Sequence, residues 1–198
     1  MGTNSAPHMA NIYLFEYEYR YIQQLKTNNK IHELKRLSMI FRYQDDLLVI
    51  NDHGLFDSIY KDIYPTEMIL KKTNVSPCVV NFLDCTISIY QGKFIFKLFD
   101  KRNEFKFNVI NYPHACGNIP TGPNHGIFVS QLLRFCDMNS SFNNYVIDCK
   151  NLYTKLITQK FDKIRLRRKF DNFYERHILV WSKFGTNIQA NKSEICPL

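Results

Sequence analysis

The chain predicts an α+β fold, because strand patterns and helix patterns occupy different stretches of it. Strand-like runs joined by tight turns concentrate before about residue 110, and helical patterns dominate after it. Between them, residues 111–123 are rich in Pro, Gly and Asn and read as a connector. A boundary is therefore expected near residue 110, between a β-containing region (1–110) and a helical region (111–198). At 198 residues the chain can bury one good core with room for a small second lobe.

Residues 4–28 read as the first helix. Asn4 and Ser5 offer capping oxygens, and Pro7 suits a first turn, where its missing N–H costs nothing. Ile12, Phe15, Tyr19, Ile22 and Leu25 recur at helical spacing and predict one buried face. Residues 27–30, Thr-Asn-Asn-Lys, break the pattern as a loop. Two strand-like runs follow, 39–43 and 47–50, separated by Gln44-Asp45-Asp46. The second run, Leu47-Leu48-Val49-Ile50, is apolar on both strand faces, which predicts a central strand covered on each side. The face carrying Ile12, Phe15 and Tyr19 is the natural cover for one of them.

Residues 55–63 form a short amphipathic segment that Pro65 closes off. Residues 67–73 are a candidate strand, and 74–77 a polar loop. A hairpin comes next: Ile87 and Ile89 alternate with Thr86, Ser88 and Tyr90, Gln91-Gly92 makes the turn, and Phe94, Phe96 and Leu98 alternate with Lys93 and Lys97. Beyond the connector, residues 127–138, 142–158 and 162–183 favour helix.

The formal net charge of +8 suits a polyanionic partner, although basic proteins that ignore nucleic acid are common. No run reaches the roughly 18 apolar residues of a membrane span, so no membrane partner is expected. The first residues lack the basic-then-apolar pattern of a secretory signal. The six cysteines lie far apart without a C-x-x-C pair, which points to reduced thiols and an intracellular setting. His114, Cys116 and His125 are too irregularly spaced to read as a zinc site.

Tyr43-Gln44-Asp45-Asp46 is the most informative tetrapeptide. Adjacent like charges on a tight turn repel each other, and solubility does not require them there. Two Mg²⁺ ions about 4 Å apart would call for clustered oxygen ligands of this kind. A plain Asp-Asp turn is the other reading, since Asp is a good turn former.

The surroundings add a resemblance. Met1-Gly2-Thr3-Asn4-Ser5-Ala6-Pro7 stands upstream of the tetrapeptide, and Asn81-Phe82-Leu83-Asp84-Cys85-Thr86-Ile87 downstream. In this order and spacing they resemble three consecutive palm motifs of reverse transcriptases: the glycine-Ser-x-Pro helix start, the Tyr-x-Asp-Asp hairpin and the Phe-Leu strand of the primer grip. The tone is that of non-retroviral retroelement enzymes, Penelope-like or related. The resemblance implies part of a polymerase palm over residues 1–110, followed by a helical thumb-like lobe. It implies RNA-templated DNA synthesis by two-metal-ion nucleotidyl transfer, with Mg²⁺, an RNA template, a DNA primer and deoxynucleoside triphosphates.

Carried onto this sequence, Asp45 is the principal metal ligand and Asp46 the accessory one. Tyr43 would lie beneath the primer end or incoming nucleotide, and Gln44 fills the variable position. Gly2, Asn4, Ser5 and Pro7 would floor the nucleotide site, though relatives commonly carry a polar residue before this glycine where Met1 stands here. Lys71 or Lys72 would be the motif D lysine, a possible proton donor to pyrophosphate; a solvated strand edge is the plainer reading. Arg165, Arg167, Arg168 and Lys169 lie among Ile164, Phe170, Phe173, Tyr174 and Trp181. A helix there would bury the aromatics and leave cations to grip a nucleic-acid backbone or simply to face water.

The family's third acid, from motif A, sits on a strand that precedes the glycine motif, where this chain begins. The expectation is thus a C-terminal palm and thumb part whose fingers and other palm half are missing, inactive by itself, with at most weak Mg²⁺ binding. The alternatives are a non-catalytic nucleic-acid-binding module or a decayed retroelement remnant.

Overall fold

The computed structural model describes residues 5–74, 76–107, 109–110, 112–177 and 182–185. The class is α+β, with helices and two small antiparallel sheets. The chain divides into two compact units, Met1–Thr73 and Asn74–Leu198.

The first unit holds α1 (Ala6–Thr27), α2 (Ile31–Leu37), β1 (Ile40–Tyr43), β2 (Asp46–Val49) and α3 (Leu55–Ile63). α1 has the expected extent, with Pro7 in its first turn. Its expected buried face is observed only in part: Leu25 is buried and Ile22 half-buried, but the three residues before them on that face are not. Ile12 is 71% exposed, Phe15 56% and Tyr19 47%, while Leu14 and Leu25 are buried. Apolar residues surround most of this helix, so spacing alone does not choose a face. The face turned inward carries Glu18, whose polar partners are described below. α2 lies where no helix was expected, steadied by a Lys30–Glu33 ion pair at 3.1 Å.

β1 and β2 pair antiparallel from Ile40↔Val49 to Tyr43↔Asp46. β2 is not the expected central strand, since β1 is its one partner among the described residues and only Leu48 in it is fully buried. Leu48 and Leu14 sit inward, while Phe56, Ile59 and Ile63 of amphipathic α3 form the small core with Tyr64. A residue-type pattern reports that a strand can be covered, not how many neighbours the fold supplies. The expected strand at 67–73 is likewise absent. Met68 and Leu70 pack on the core by their side chains, while the backbone of residues 67–73 pairs with no strand among the described residues.

The second unit begins with a sheet of order β3-β4-β5: β3 (Val79–Phe82), β4 (Cys85–Tyr90) and β5 (Lys93–Leu98). Gln91 and Gly92 both take positive φ, 48° and 73°, the pattern of a type I′ hairpin turn. A short 3₁₀ turn, Lys101–Glu104, leads on towards α4 (Thr121–Met138), α5 (Phe142–Thr158) and α6 (Lys163–Arg176). α4 starts inside the expected connector with Pro123 in its first turn, and α6 ends at Arg176, short of 183. Trp181 lies outside the described residues. Phe128, Leu132, Tyr145, Leu152, Leu156, Leu166, Phe170 and Phe173 form the heart of this unit's core.

The division falls between Thr73 and Asn74 rather than near residue 110 because β5 is tied to the α4–α5 junction. The Phe96 N–H donates to Ser140 Oγ at 2.9 Å, and the Ser140 N–H returns a bond to the Phe96 carbonyl at 2.9 Å. The Leu98 N–H reaches Asn139 Oδ1 at 3.3 Å. Sheet and helices are thereby one unit.

Candidate functional site

The tetrapeptide occupies a tight hairpin tip. Tyr43 and Asp46 close the ladder, and Gln44-Asp45 make the two-residue turn, with Gln44 at φ 54°. Tyr43, Asp45 and Asp46 are all exposed.

Arg42, one residue before the tetrapeptide, fixes this tip. Its guanidinium binds Glu18 of α1 through both carboxylate oxygens, at 2.7 and 3.3 Å, and Asn11 Oδ1 at 2.8 Å. The Tyr64 hydroxyl donates to Glu18 Oε1 at 2.7 Å. Arg42 and Glu18 side chains keep only 15% and 26% of their exposure, so this is a half-buried, charge-assisted network. Burial, and then the bond to the Glu18 carboxylate, push the Tyr64 phenol well above its ordinary range. Sequence reading missed Arg42, Glu18 and Tyr64. The available signal was a cation inside an otherwise apolar and aromatic strand.

A cleft of about 840 Å³ opens beside the tip. Pro7 and Ala10 of α1, Gln44 and Asp45 of the turn, Tyr64 and Ile69 are among its walls. Pro7, Gln44 and Asp45 are therefore brought together, whereas Tyr43, Asp46 and Ser5 do not line the cleft. Ser5 precedes α1 but makes no side-chain cap bond, contrary to the expected capping. Gly2 and Asn4 lie outside the described residues. Lys71 and Lys72 are exposed on the extended segment away from the cleft walls, and Lys72 is engaged by Asp57 of α3. Among the described residues no group of three or more His, Cys, Asp or Glu could hold a metal ion. Asp45 and Asp46 supply hard oxygen donors of the right kind for Mg²⁺, but only as a pair.

The basic cluster behaves as a helix face. Leu166, Phe170, Phe173 and Tyr174 of α6 point into the core, and Arg165, Arg167, Arg168 and Lys169 stay exposed, as does Ile164. The four cations are not equivalent. Arg167 pairs with Asp171 one turn on, at 3.8 Å. Arg165, Arg168 and Lys169 line a recess of about 280 Å³ together with Thr121, Gly122 and His125 at the start of α4. Asp162 caps α6 by accepting from the Ile164 and Arg165 N–H groups, and these bonds hold its carboxyl below the usual range.

A second cleft of the same unit, about 800 Å³, was not anticipated. Its charges largely satisfy one another. Arg134 meets Asp84 at 2.6 Å, while Arg102 binds Asp100 at 2.7 Å and Lys155 approaches it at 3.9 Å. Burial pushes the Asp148 carboxyl up, against its bond from Asn139 Nδ2 at 2.8 Å. Phe82, of the motif likened to a primer grip, ends β3; Leu83 is in the following turn at φ 53°.

No helix among the described residues is long and apolar enough to cross a membrane. No protein-family model matches the chain, and no curated protein or solved structure matches it.

Proposed function

We propose that this chain carries the metal hairpin of an RNA-directed DNA polymerase from a non-retroviral retroelement, one that copies an RNA template from a DNA primer with deoxynucleoside triphosphates. One observation carries the reading: Tyr43-Gln44-Asp45-Asp46 forms a tight antiparallel hairpin tip with both carboxylates exposed. A cleft reached by Asp45 and by Pro7 at the start of α1 supports it further.

Asp45 and Asp46 would hold Mg²⁺, which when bound would offset negative charge on the reacting phosphoryl oxygens. Arg42 and Glu18 keep the strand that carries the tip in place, and Tyr43 offers an exposed ring for base stacking. Two carboxylates give too few ligands for the near-octahedral demand of Mg²⁺, so these 198 residues by themselves are expected not to extend a primer. The split basic face of α6 favours a second reading, a nucleic-acid-binding module without catalysis.

Paramagnetic Mn²⁺ distinguishes the two. Titrated into the isotope-labelled chain, it should broaden the amide signals of residues 43–47 first, and Asp45→Asn with Asp46→Asn should abolish that selectivity. Broadening centred elsewhere would remove the polymerase reading. Template–primer binding that persists without selective broadening would leave the binding module.

A further inference from the structure

The recess between α4 and α6 joins three features that each favour one chemistry. α4, an 18-residue helix, opens on Pro120 with no side-chain cap and no acid in its first turn. Its first N–H groups therefore face outward with the positive end of the helix dipole. Arg165, Arg168 and Lys169 stand across from it and take part in no ion pair among the described residues. Asp162, the nearest acid at the α6 start, is committed to capping.

His125 is the independent third feature. It lines the recess yet is only 4% exposed, and its Nε2 has no hydrogen-bond partner. Its Nδ1 lies 2.9 Å from the Thr121 carbonyl oxygen, which can only accept. Nδ1 thus carries the hydrogen, and in the uncharged ring Nε2 is an acceptor. The Phe161 ring, 5.1 Å away between centroids, helps hold the imidazole in place. A buried acceptor beside an anion-binding wall calls for an O–H donor on the same ligand that brings the anion.

We propose that this recess holds one phosphate–ribose unit of an RNA strand. The phosphate meets Arg165, Arg168, Lys169 and the first N–H groups of α4, and the ribose 2′-hydroxyl donates to His125 Nε2. DNA supplies the phosphate but not the hydroxyl. The inference deepens the polymerase reading, resting on it for the ligand being nucleic acid, and names the RNA strand as the one held by the helical unit.

The test is fluorescence anisotropy with the full chain at one fixed low salt. Its ligands are single strands of one sequence as RNA, as 2′-O-methyl RNA and as DNA. RNA should bind about five-fold tighter than the other two, the worth of one hydrogen bond. His125→Phe should erase that difference, and Arg168→Gln should weaken all three strands alike. Lys150→Gln, on an exposed face of α5, should change neither. Because His125 is buried and its replacement could disturb folding, the 2′-O-methyl strand tests the unaltered protein. Equal affinity for RNA and 2′-O-methyl RNA overturns the inference even if Mn²⁺ still collects at Asp45, which would leave the polymerase reading standing. An RNA preference carried by His125 without Mn²⁺ at Asp45 supports this inference while removing that reading.

Discussion

Arg42 governs the hairpin more than either aspartate does. Its guanidinium satisfies Glu18 and Asn11 at once, and Glu18 also receives the Tyr64 hydroxyl. Removing the cation would leave a half-buried carboxylate and phenol facing each other without a counter-charge. Arg42→Ala should therefore destabilise the first unit by about 2–3 kcal/mol. A double change, Arg42→Met with Glu18→Gln, should recover much of the loss, because the uncompensated charge goes with the ion pair. Urea unfolding read from hairpin amide signals would check both; a single-mutant loss under about 0.5 kcal/mol would show the network to be ornamental. The two acids were legible in the sequence because their adjacency on a turn is local. Arg42 was not, since its role depends on Glu18, 24 residues earlier in the chain.

Local pattern also decides which elements could be read. The β4–β5 hairpin was plain because alternation and a Gln91-Gly92 turn both lie within a dozen or so residues. α1 was legible in extent and in its buried Leu25, but the rest of its inward face was not, because Ile12, Phe15 and Tyr19 compete with Leu14 on equal terms of spacing. The 3₁₀ turn after β5 shows a device that residue types hint at weakly. Asp100 accepts from the Arg102 backbone N–H at 3.1 Å and from its guanidinium at 2.7 Å. Burial alone would push the Asp100 carboxyl up, but the Arg102 bonds and the nearby Lys155 outweigh it and hold the carboxyl below its ordinary range. A depressed carboxylate stabilises the fold above its unfolded-state pKa of about 3.9, and that stabilisation is lost as pH falls through the lower folded value. Asp100→Asn should accordingly cost about 1 kcal/mol near neutrality, because the charge-assisted bonds from the Arg102 guanidinium become neutral ones or are lost. The gap to the parent protein should narrow below about pH 4. Denaturant midpoints measured across that range would check it, and a gap independent of pH would assign the loss to packing instead.

At the scale of the whole chain, the two units differ in how much each buries. Among the described residues, the first has five buried apolar residues in its core cluster, Leu14, Phe56, Ile59, Ile63 and Tyr64, around a two-stranded ribbon. The second has fourteen among its described residues, drawn from α4, α5, α6 and the segments joining them. The boundary near 110 suggested by composition missed this partition, because Ser140 and Asn139 bind β5 through bonds that no local pattern announces. Burial scales with domain size, so a unit with a small core and an exposed apolar helix face is the marginal one. The first unit should therefore open while the second stays folded, rather than the chain melting in one step. Native-state hydrogen exchange gives the decisive reading. Amides of α1 and of β1–β2 should exchange at a lower opening free energy than those of α4, α5 and α6, and mild denaturant should leave the second set protected. Arg42→Ala should widen the difference by lowering only the first set. If both units exchange at one common free energy, or if Arg42→Ala lowers them together, the chain unfolds as a single cooperative body and the hairpin draws its stability from more than its own unit.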